Sequence, residues 1–567
     1  MRPKGRGELD SLYFTYPHFD PPHRDPQQTK MTTDAVVIVG AGPVGLVAAL
    51  TLARYGIRSI VIDRKATFND GSRAICIARA SYHILDWLGV LPPFLAKSLG
   101  WTTGRTFFKG QQILEFSMPH GDDEKFLPMY NLQQQYIEQY LHDAALRTSL
   151  VEFRWQSDVN SVVHQADGVE VGVRDAGGTY SLKAPWVLAA DGARSAVRSA
   201  LGHRLKGQNY EGRYVIADVQ MADDYPTIRR ALFDPKSNPG GTVLVHRQPD
   251  NIWRIDYQLK DGDSADDATQ EDTVRRNVSA ILKDIAYDGD WALEWWSVYS
   301  ANTLALDDYR DGRVIFIGDS AHVVPIFGVR GLNNGLADAH NIGWKLAKLI
   351  KGRAGPAIID SYTPERRGAT LDVFENATKS TRFMTPPTVG WRIMRDAALS
   401  LALSHDFARP FANPRQMAPY TYADSPMTIA ESGDFLSGPA PGAISTNIKL
   451  ANGRFLLDHL GRGFTGILFA DEDVAHAADL LARLHPIDPD FRLLIVTADG
   501  IDAPADLDDR VDVVTDAGGI RNAYGAQSGD FYLLRPDFYV AGRWQAPTVS
   551  MIAQSLARLL DRNGEIQ

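Results

Sequence analysis

Three glycines and a few well-spaced carboxylates carry the chemistry that can be read from this chain. Gly40, Gly42 and Gly45 follow a β-branched run at 35–39 and precede a stretch at 46–55 with helical period. At this spacing Gly40 permits a tight turn and Gly42 lets backbone approach a pyrophosphate. Gly45 lets the helix pack closely on the strand. The helix start, with Pro43 beside it, offers free N–H groups and a positive dipole end to phosphates. A second strand at 59–62 runs into Asp63 and Arg64, where an acid binds a ribose hydroxyl pair. The chemistry of this constellation is dinucleotide binding.

NAD and FAD share that fingerprint, so the choice between them falls to residues further along. A strand at 186–190 runs into Asp191, and a buried run from Arg313 ends in Gly318 and Asp319. Pro325, Gly328 and then Gly331, Leu332 and Asn333 lead into a helix carrying Asp338, Asn341 and Trp344. Asp319 is an acceptor at a strand's carboxyl end, suited to a ribityl or ribose hydroxyl. Gly331 brings the next helix start close to a ligand. The N–H groups of Leu332 and Asn333 can then stabilise negative charge, such as that on a reduced flavin's N1–C2 carbonyl edge.

In this order and spacing the motifs resemble the single-component (class A) FAD-dependent aromatic hydroxylases, from Asp34 to about Arg367. The resemblance implies an α/β fold. A Rossmann-like, PHBH-like FAD-binding domain (31–105, 131–206 and 311–365) is interrupted by a mostly antiparallel substrate-binding sheet (106–130 and 207–310). A helical and linker region (366–437) and a thioredoxin-like domain without redox cysteines (438–567) follow. It also implies that Arg73 and Gln134 contact the flavin and that the Asp191 segment serves a transient NADH or NADPH donor. In such enzymes O2 adds to reduced FAD, and the resulting C4a-hydroperoxide hydroxylates a small phenolic substrate. The segment Arg73 to Arg79 and the cysteine-free tail look most like the 3-(3-hydroxyphenyl)propionate hydroxylase branch. The chain departs from the family pattern at Pro325-Ile326 and Val329-Arg330. Arg330 either faces the flavin or points to solvent. Residues 74–78 lack the acid found in the phenol-hydroxylase branch, so no catalytic base carries over there.

The elements that must position a substrate lie between 206 and 312. Strands at 214–219, 242–246 and 253–257 alternate apolar and polar residues, as half-buried strands do. Tyr214, His246 and Tyr257 are polar-tipped groups expected to hydrogen-bond a phenol, Tyr214 foremost. Two rivals stand beside hydroxylation. One is another flavin oxidoreductase on the same fold, a Baeyer–Villiger or polyketide-tailoring oxygenase or a dehydrogenase. The other is a non-catalytic dinucleotide-binding interaction protein.

Bulk properties narrow the field further. At 567 residues the chain exceeds one core, so several domains are expected. A net charge of −10 argues against a nucleic-acid groove, which needs clustered cations. No apolar run reaches transmembrane length and no signal-peptide core opens the chain, so a cytoplasmic enzyme without membrane contact is expected. Cys76 is the one cysteine; it rules out an internal disulfide, a cysteine zinc site and a dithiol centre. No metal is expected, and a homodimer is compatible with the tail. Residues 1–30, punctuated by proline and without apolar period, read as a flexible leader.

Overall fold

The computed structural model describes the whole chain except residues 261, 326–327, 413–418, 472–475, 499–507, 517–518 and 563–567. Val36–Val39 is fully buried, which its β-branched residues favour in a strand covered on both faces. It lies inside a six-stranded sheet ordered 310–311, 314–316, 187–189, 36–39, 59–62, 151–154. All pairings are parallel except that of the edge strand at 310–311. Helix Pro43–Arg54 buries Leu46, Val47, Ala49 and Leu50, and helix Arg330–Ile350 buries Leu336, Ile342 and Leu346. Parallel strands end on the same edge, so the residues following 36–39, 59–62, 187–189 and 314–316 converge there.

A second sheet has eight strands, ordered 322–323, 291–305, 206–221, 252–258, 242–247, 229–233, 103–108, 111–117. One pairing within it is parallel, that of 229–233 with 103–108. Alternation gives the sheet two distinct faces. On one, Val215, Val243, Val245, Trp253 and Ile255 form an apolar cluster with Val274, Val278 and Ile281 of helix Glu271–Asp284. The opposite face carries Asp218, Arg254 and Asp256 and turns toward the glycine-rich unit, for Arg254 donates to the carbonyls of Ser72 and Arg73.

The C-terminal part forms a five-stranded mixed sheet ordered 511–515, 492–497, 465–470, 531–534, 540–544. Helix Val549–Leu559 follows the final hairpin. One buried carboxylate, Glu365, fastens this sheet to the rest of the chain. Arg535 grips it through two bonds of 2.6 and 2.9 Å. Lys345, Asn341 and Ser425 donate to it at 2.6, 2.7 and 2.5 Å. Burial alone would raise this carboxyl, but Arg535 and Lys345 outweigh it and hold the group well below the usual carboxylate range.

Two expectations need correction. Residues 1–30 are not loose: Arg2 and Arg6 pair with buried Glu294 at 2.5 and 2.9 Å, and the terminal amine donates to the Trp296 carbonyl. Phe14 is buried in the main core, and Lys30–Thr32 pairs with the strand at 178–184. The segment read as a linker is also bound in place. The N–H groups of Ile429, Ser432 and Gly442 donate to the carbonyls of Ala541, Arg543 and Val540. Gly438 has φ +83° and lies so close to the Tyr524 carbonyl that a side chain there would collide with it. Among the described residues no helix is long and apolar enough to cross a membrane, and no cluster suited to a metal ion is present.

Candidate flavin and substrate sites

The glycine turn has the geometry its spacing requires. Gly40 sits at φ +112° against the carbonyl of Ala190, and a Cβ at Gly45 would strike the Gly40 carbonyl. A Cβ at Gly42, by contrast, would meet nothing within 4 Å. The turn is therefore packed behind and open in front, where a phosphate would lie. Gly42 caps helix Pro43–Arg54, with Pro43 in its first turn, so the helix's unpaired N–H groups face that opening. Asp63 accepts from the N–H of Ala41 at 2.8 Å and of Lys65 at 2.9 Å. Each oxygen keeps a lone pair for a ribose hydroxyl. Arg64 beside it is exposed.

Across the same edge, Gly318 adopts φ +60° and packs on Val44, while its N–H donates to Asp338 at 3.0 Å. Asp338 also receives His322 and Arg366, each at 2.6 Å, which fixes the start of the 330–350 helix against this turn. Asp319 keeps an exposed side chain although protein surrounds it. Its deep placement raises its carboxyl, with His322 and Arg73 opposing. Arg73, itself exposed, is near enough to act on that carboxyl. Asp191 has one oxygen on the Val197 N–H at 3.1 Å and the other buried without a partner. Pro325 is buried beside this region.

The helix Arg330–Ile350 begins after Val329, which adopts φ 61° and ψ 38°. A β-branched residue in the left-handed region is strained by about 1–3 kcal/mol. Such strain gathers at ligand sites. The N–H groups of Gly331, Leu332 and Asn333 find no acceptor among the described residues. The Asn333 side chain is engaged elsewhere, accepting from Ala78 N and Ser81 Oγ, both at 2.8 Å. Arg330 is buried with its Nε unpaired, so it does not point to solvent. Gln134 accepts from the Ala74 N–H at 3.1 Å and donates to Glu138 at 2.8 Å. It thereby holds the loop that carries Arg73.

The three residues expected to meet a phenol do not converge. Tyr257 belongs to the apolar cluster under helix Glu271–Asp284, on the sheet face away from the glycine-rich unit. That expectation is wrong by the parity of one strand position. Tyr214 is on the correct face, but its hydroxyl lies 3.0 Å from Thr385 Oγ1 and 3.4 Å from the Met384 carbonyl. It is satisfied within the protein and packs with Phe108, Phe233 and Leu399. His246 stays on the correct face, buried, with Nδ1 unpaired. Burial holds it well below its ordinary pKa, with Arg229 and Arg254 adding to the effect.

The sequence reading missed its neighbours. His246 pairs with Arg254, and Arg254 with Asp218; the ion pair between the last two is 2.9 Å long. Arg230 pairs with Val245, so the antiparallel register sets Arg229 across from His246. Asp256 pairs with Leu244 and Ile216 one row along. Burial raises its carboxyl to about 7, against the pull of Arg254 and Arg229. The available signal was the alternation in 252–258, where Arg254, Asp256 and Gln258 interleave with Trp253, Ile255 and Tyr257.

Comparison with known proteins matches this architecture. Residues 33–377 fit the model of an FAD binding domain. A 3-(3-hydroxy-phenyl)propionate/3-hydroxycinnamic acid hydroxylase of Mycolicibacterium smegmatis is 28% identical over 367 residues, 64% of this chain and 63% of the relative. The chain thus spans less than two thirds of that relative. A 6-methylpretetramide 4-monooxygenase of Streptomyces rimosus is 27% identical over 556 residues, 92% of this chain and 93% of the relative. The crystal structure of the flavin-dependent monooxygenase PieE with FAD and substrate superposes with TM-score 0.77 at 21% identity, covering 94% of this chain and 99% of that one. With an open glycine turn, an acid at a strand's carboxyl end and a matched domain spanning most of its length, the chain belongs to the FAD binding domain family.

Proposed function

We propose that the protein is an FAD-dependent monooxygenase that hydroxylates a phenolic aromatic compound with NADH or NADPH and O2. One observation carries this reading: the polar face of the eight-stranded sheet adjoins the loop of Arg73, and Arg73 acts on the carboxyl of Asp319. A ring held on that face lies next to the cofactor. The flavin, once reduced and exposed to O2, supplies the electrophilic oxygen.

The chain's own residues bind, orient and exclude water. Gly40, Gly42, Gly45 and the helix start after Pro43 receive the pyrophosphate. Asp63 holds ribose, and Asp319 and Asp191 take the remaining hydroxyls or waters of the site. The free N–H groups of Gly331, Leu332 and Asn333 stabilise negative charge at the ring system's carbonyl edge. Arg73 covers the cofactor from the loop that Gln134 and Arg254 secure.

The mixed sheet at 465–544, with parallel strands on one side and an antiparallel hairpin on the other, supports a thioredoxin-like reading of the tail. Lacking cysteine, it acts as structure. Val389, Ile393 and Met394 are exposed on one helix, which supports self-association into a homodimer.

The test is NAD(P)H consumption and peroxide release by the FAD-loaded protein against phenols, phenolic acids and larger polyphenols. Stimulated oxidation with recovery of a ring hydroxylated once is the expected result. Oxygen insertion into a ketone, giving an ester, would replace this reading with a Baeyer–Villiger one.

A further inference from the structure

Five buried polar residues stand in adjacent strands on the sheet face that looks toward Cys76 and the Arg73 loop. Arg254 and Asp218 satisfy each other, through Nε and Nη2 each at 2.9 Å. Arg229 and Asp256 do not meet: no ion pair joins them. Arg229 Nε, Asp256 Oδ1 and His246 Nδ1 are all buried without a partner, and these three residues expose only 7%, 5% and 5% of their surface. Adjacent strands lie about 4.8 Å apart and residues on one face about 7 Å apart along the strand. Arg229 and Asp256, two strands apart and one row apart, are thus separated by roughly 12 Å between Cα atoms. Leu244 and His246 stand between them on the intervening strand. An unpaired buried carboxylate and an unpaired buried guanidinium are each costly, and a ligand oxygen between them would satisfy both.

We propose that Asp256 is the base that takes the proton of the substrate's ring hydroxyl, and that Arg229 holds the oxygen left negative. This rests on the hydroxylase reading and names the part of the site that activates the ring. The substrate O–H bond breaks, the proton bonds to Asp256 Oδ1, and the electron pair stays on the ring oxygen. Nothing is oxidised in this step. The groups facing Asp256 fit the role. Arg254 is already committed to Asp218, whose charge opposes ionisation of Asp256. Tyr214 is bonded to Thr385. Burial keeps His246 neutral and pushes the Cys76 thiol up to about 12. Arg229 then serves as the cation for a phenolate, and Asp256 as the carboxylate that accepts its proton. The ligand class is a ring with an ionisable hydroxyl, carried into the site as the neutral phenol.

Fluorine NMR of 4-fluorophenol bound to the FAD-loaded protein reports directly whether the bound probe is phenol or phenolate. In the wild type the bound probe should ionise near pH 7–8, at least two units below the value of about 10 typical of a free phenol. Asp256→Asn should retain FAD and bind the probe within threefold, yet ionise it over a clearly different pH range. Arg229→Met should weaken binding of the ionised probe at least tenfold. A wild-type probe that is absent from the site or neutral at pH 8 would overturn the assignment, as would an ionisation profile unchanged in Asp256→Asn. The two readings fail separately. If phenols are hydroxylated but Asp256→Asn leaves the profile unchanged, the base is misassigned. If the probe ionises through Asp256 but no phenol is hydroxylated, the reaction is misassigned.

Discussion

Replacing Glu365 with glutamine should destabilise the protein more than any surface change, because five donors converge on its carboxylate. Arg535 contributes two of them, and Lys345, Asn341 and Ser425 one each. Glu365, Arg535 and Lys345 are at most 1% exposed at their side chains. A glutamine keeps one acceptor oxygen, turns an N–H2 group toward at least two of these donors, and leaves two buried cations short of a counter-charge. Breaking a buried pair in this way costs about 3–5 kcal/mol, roughly a 150- to 4,000-fold change in the folding constant at 1.4 kcal/mol per decade. Urea unfolding of the FAD-loaded protein measures it. The sign of the pH dependence is fixed. Glu365 is depressed in the folded state from 4.5, so its contribution is complete above pH 4.5 and fades as pH falls further. The part of the difference between wild type and Glu365→Gln that comes from this carboxylate should shrink below pH 4.5. A loss under about 1 kcal/mol at pH 7.5, or one that grows as pH drops below 4.5, would refute the reasoning.

Other perturbations separate binding from folding. Gly42→Ala should fold normally yet purify with little flavin absorbance, since its Cβ enters open space, whereas Gly40→Ala, at φ +112° against Ala190, should lower soluble yield. Asp319→Ala should leave mostly colourless protein; normal flavin absorbance would remove it from the site. Tyr257→Phe should leave turnover and coupling within about twofold, roughly 0.4 kcal/mol, because the residue packs on the far face of the sheet. His340 is buried between Trp87 and Phe538, and burial lowers it to about 4. An unfolded histidine near 6.5 binds protons that the folded one refuses, so stability should fall as pH drops from 6.5 to 4. The His340 share of the loss approaches about 3 kcal/mol, so the acid-side loss measured by urea titration should be smaller by that amount in His340→Phe.

How far the sequence could be read depended on the distance over which each feature is encoded. The glycine turn, Asp63 and the strand ends at Asp191 and Asp319 were legible because each is local: a strand, a turn and a helix within about twenty residues. Arg73 and Gln134 were expected from resemblance alone, which could not reveal that the Gln134 amide is bound to Ala74 and Glu138. The substrate face was read less well. Tyr257 and Asp256 are neighbours in sequence but point to opposite faces, and only the register with Leu244 and Ile216 decides which faces the flavin unit. The aromatic drew attention and the carboxylate beside it was passed over. Residues 1–30 looked unstructured because their anchor, Glu294, lies nearly three hundred positions away. Arg2 and Arg6 carry no local sign of burial. For the same reason the stretch before Gly442 resembled a linker, although its hydrogen bonds run to the final hairpin.

The central claim is that this site transfers one atom of dioxygen to an aromatic ring, and isotopically labelled O2 tests it most directly. The FAD-loaded protein, given NADH or NADPH and the phenol that most accelerates their oxidation, should yield a product heavier by one labelled oxygen, with the label on the ring. Product carrying oxygen from water, or oxidation of the donor with all label recovered as peroxide for every phenol tried, would contradict it.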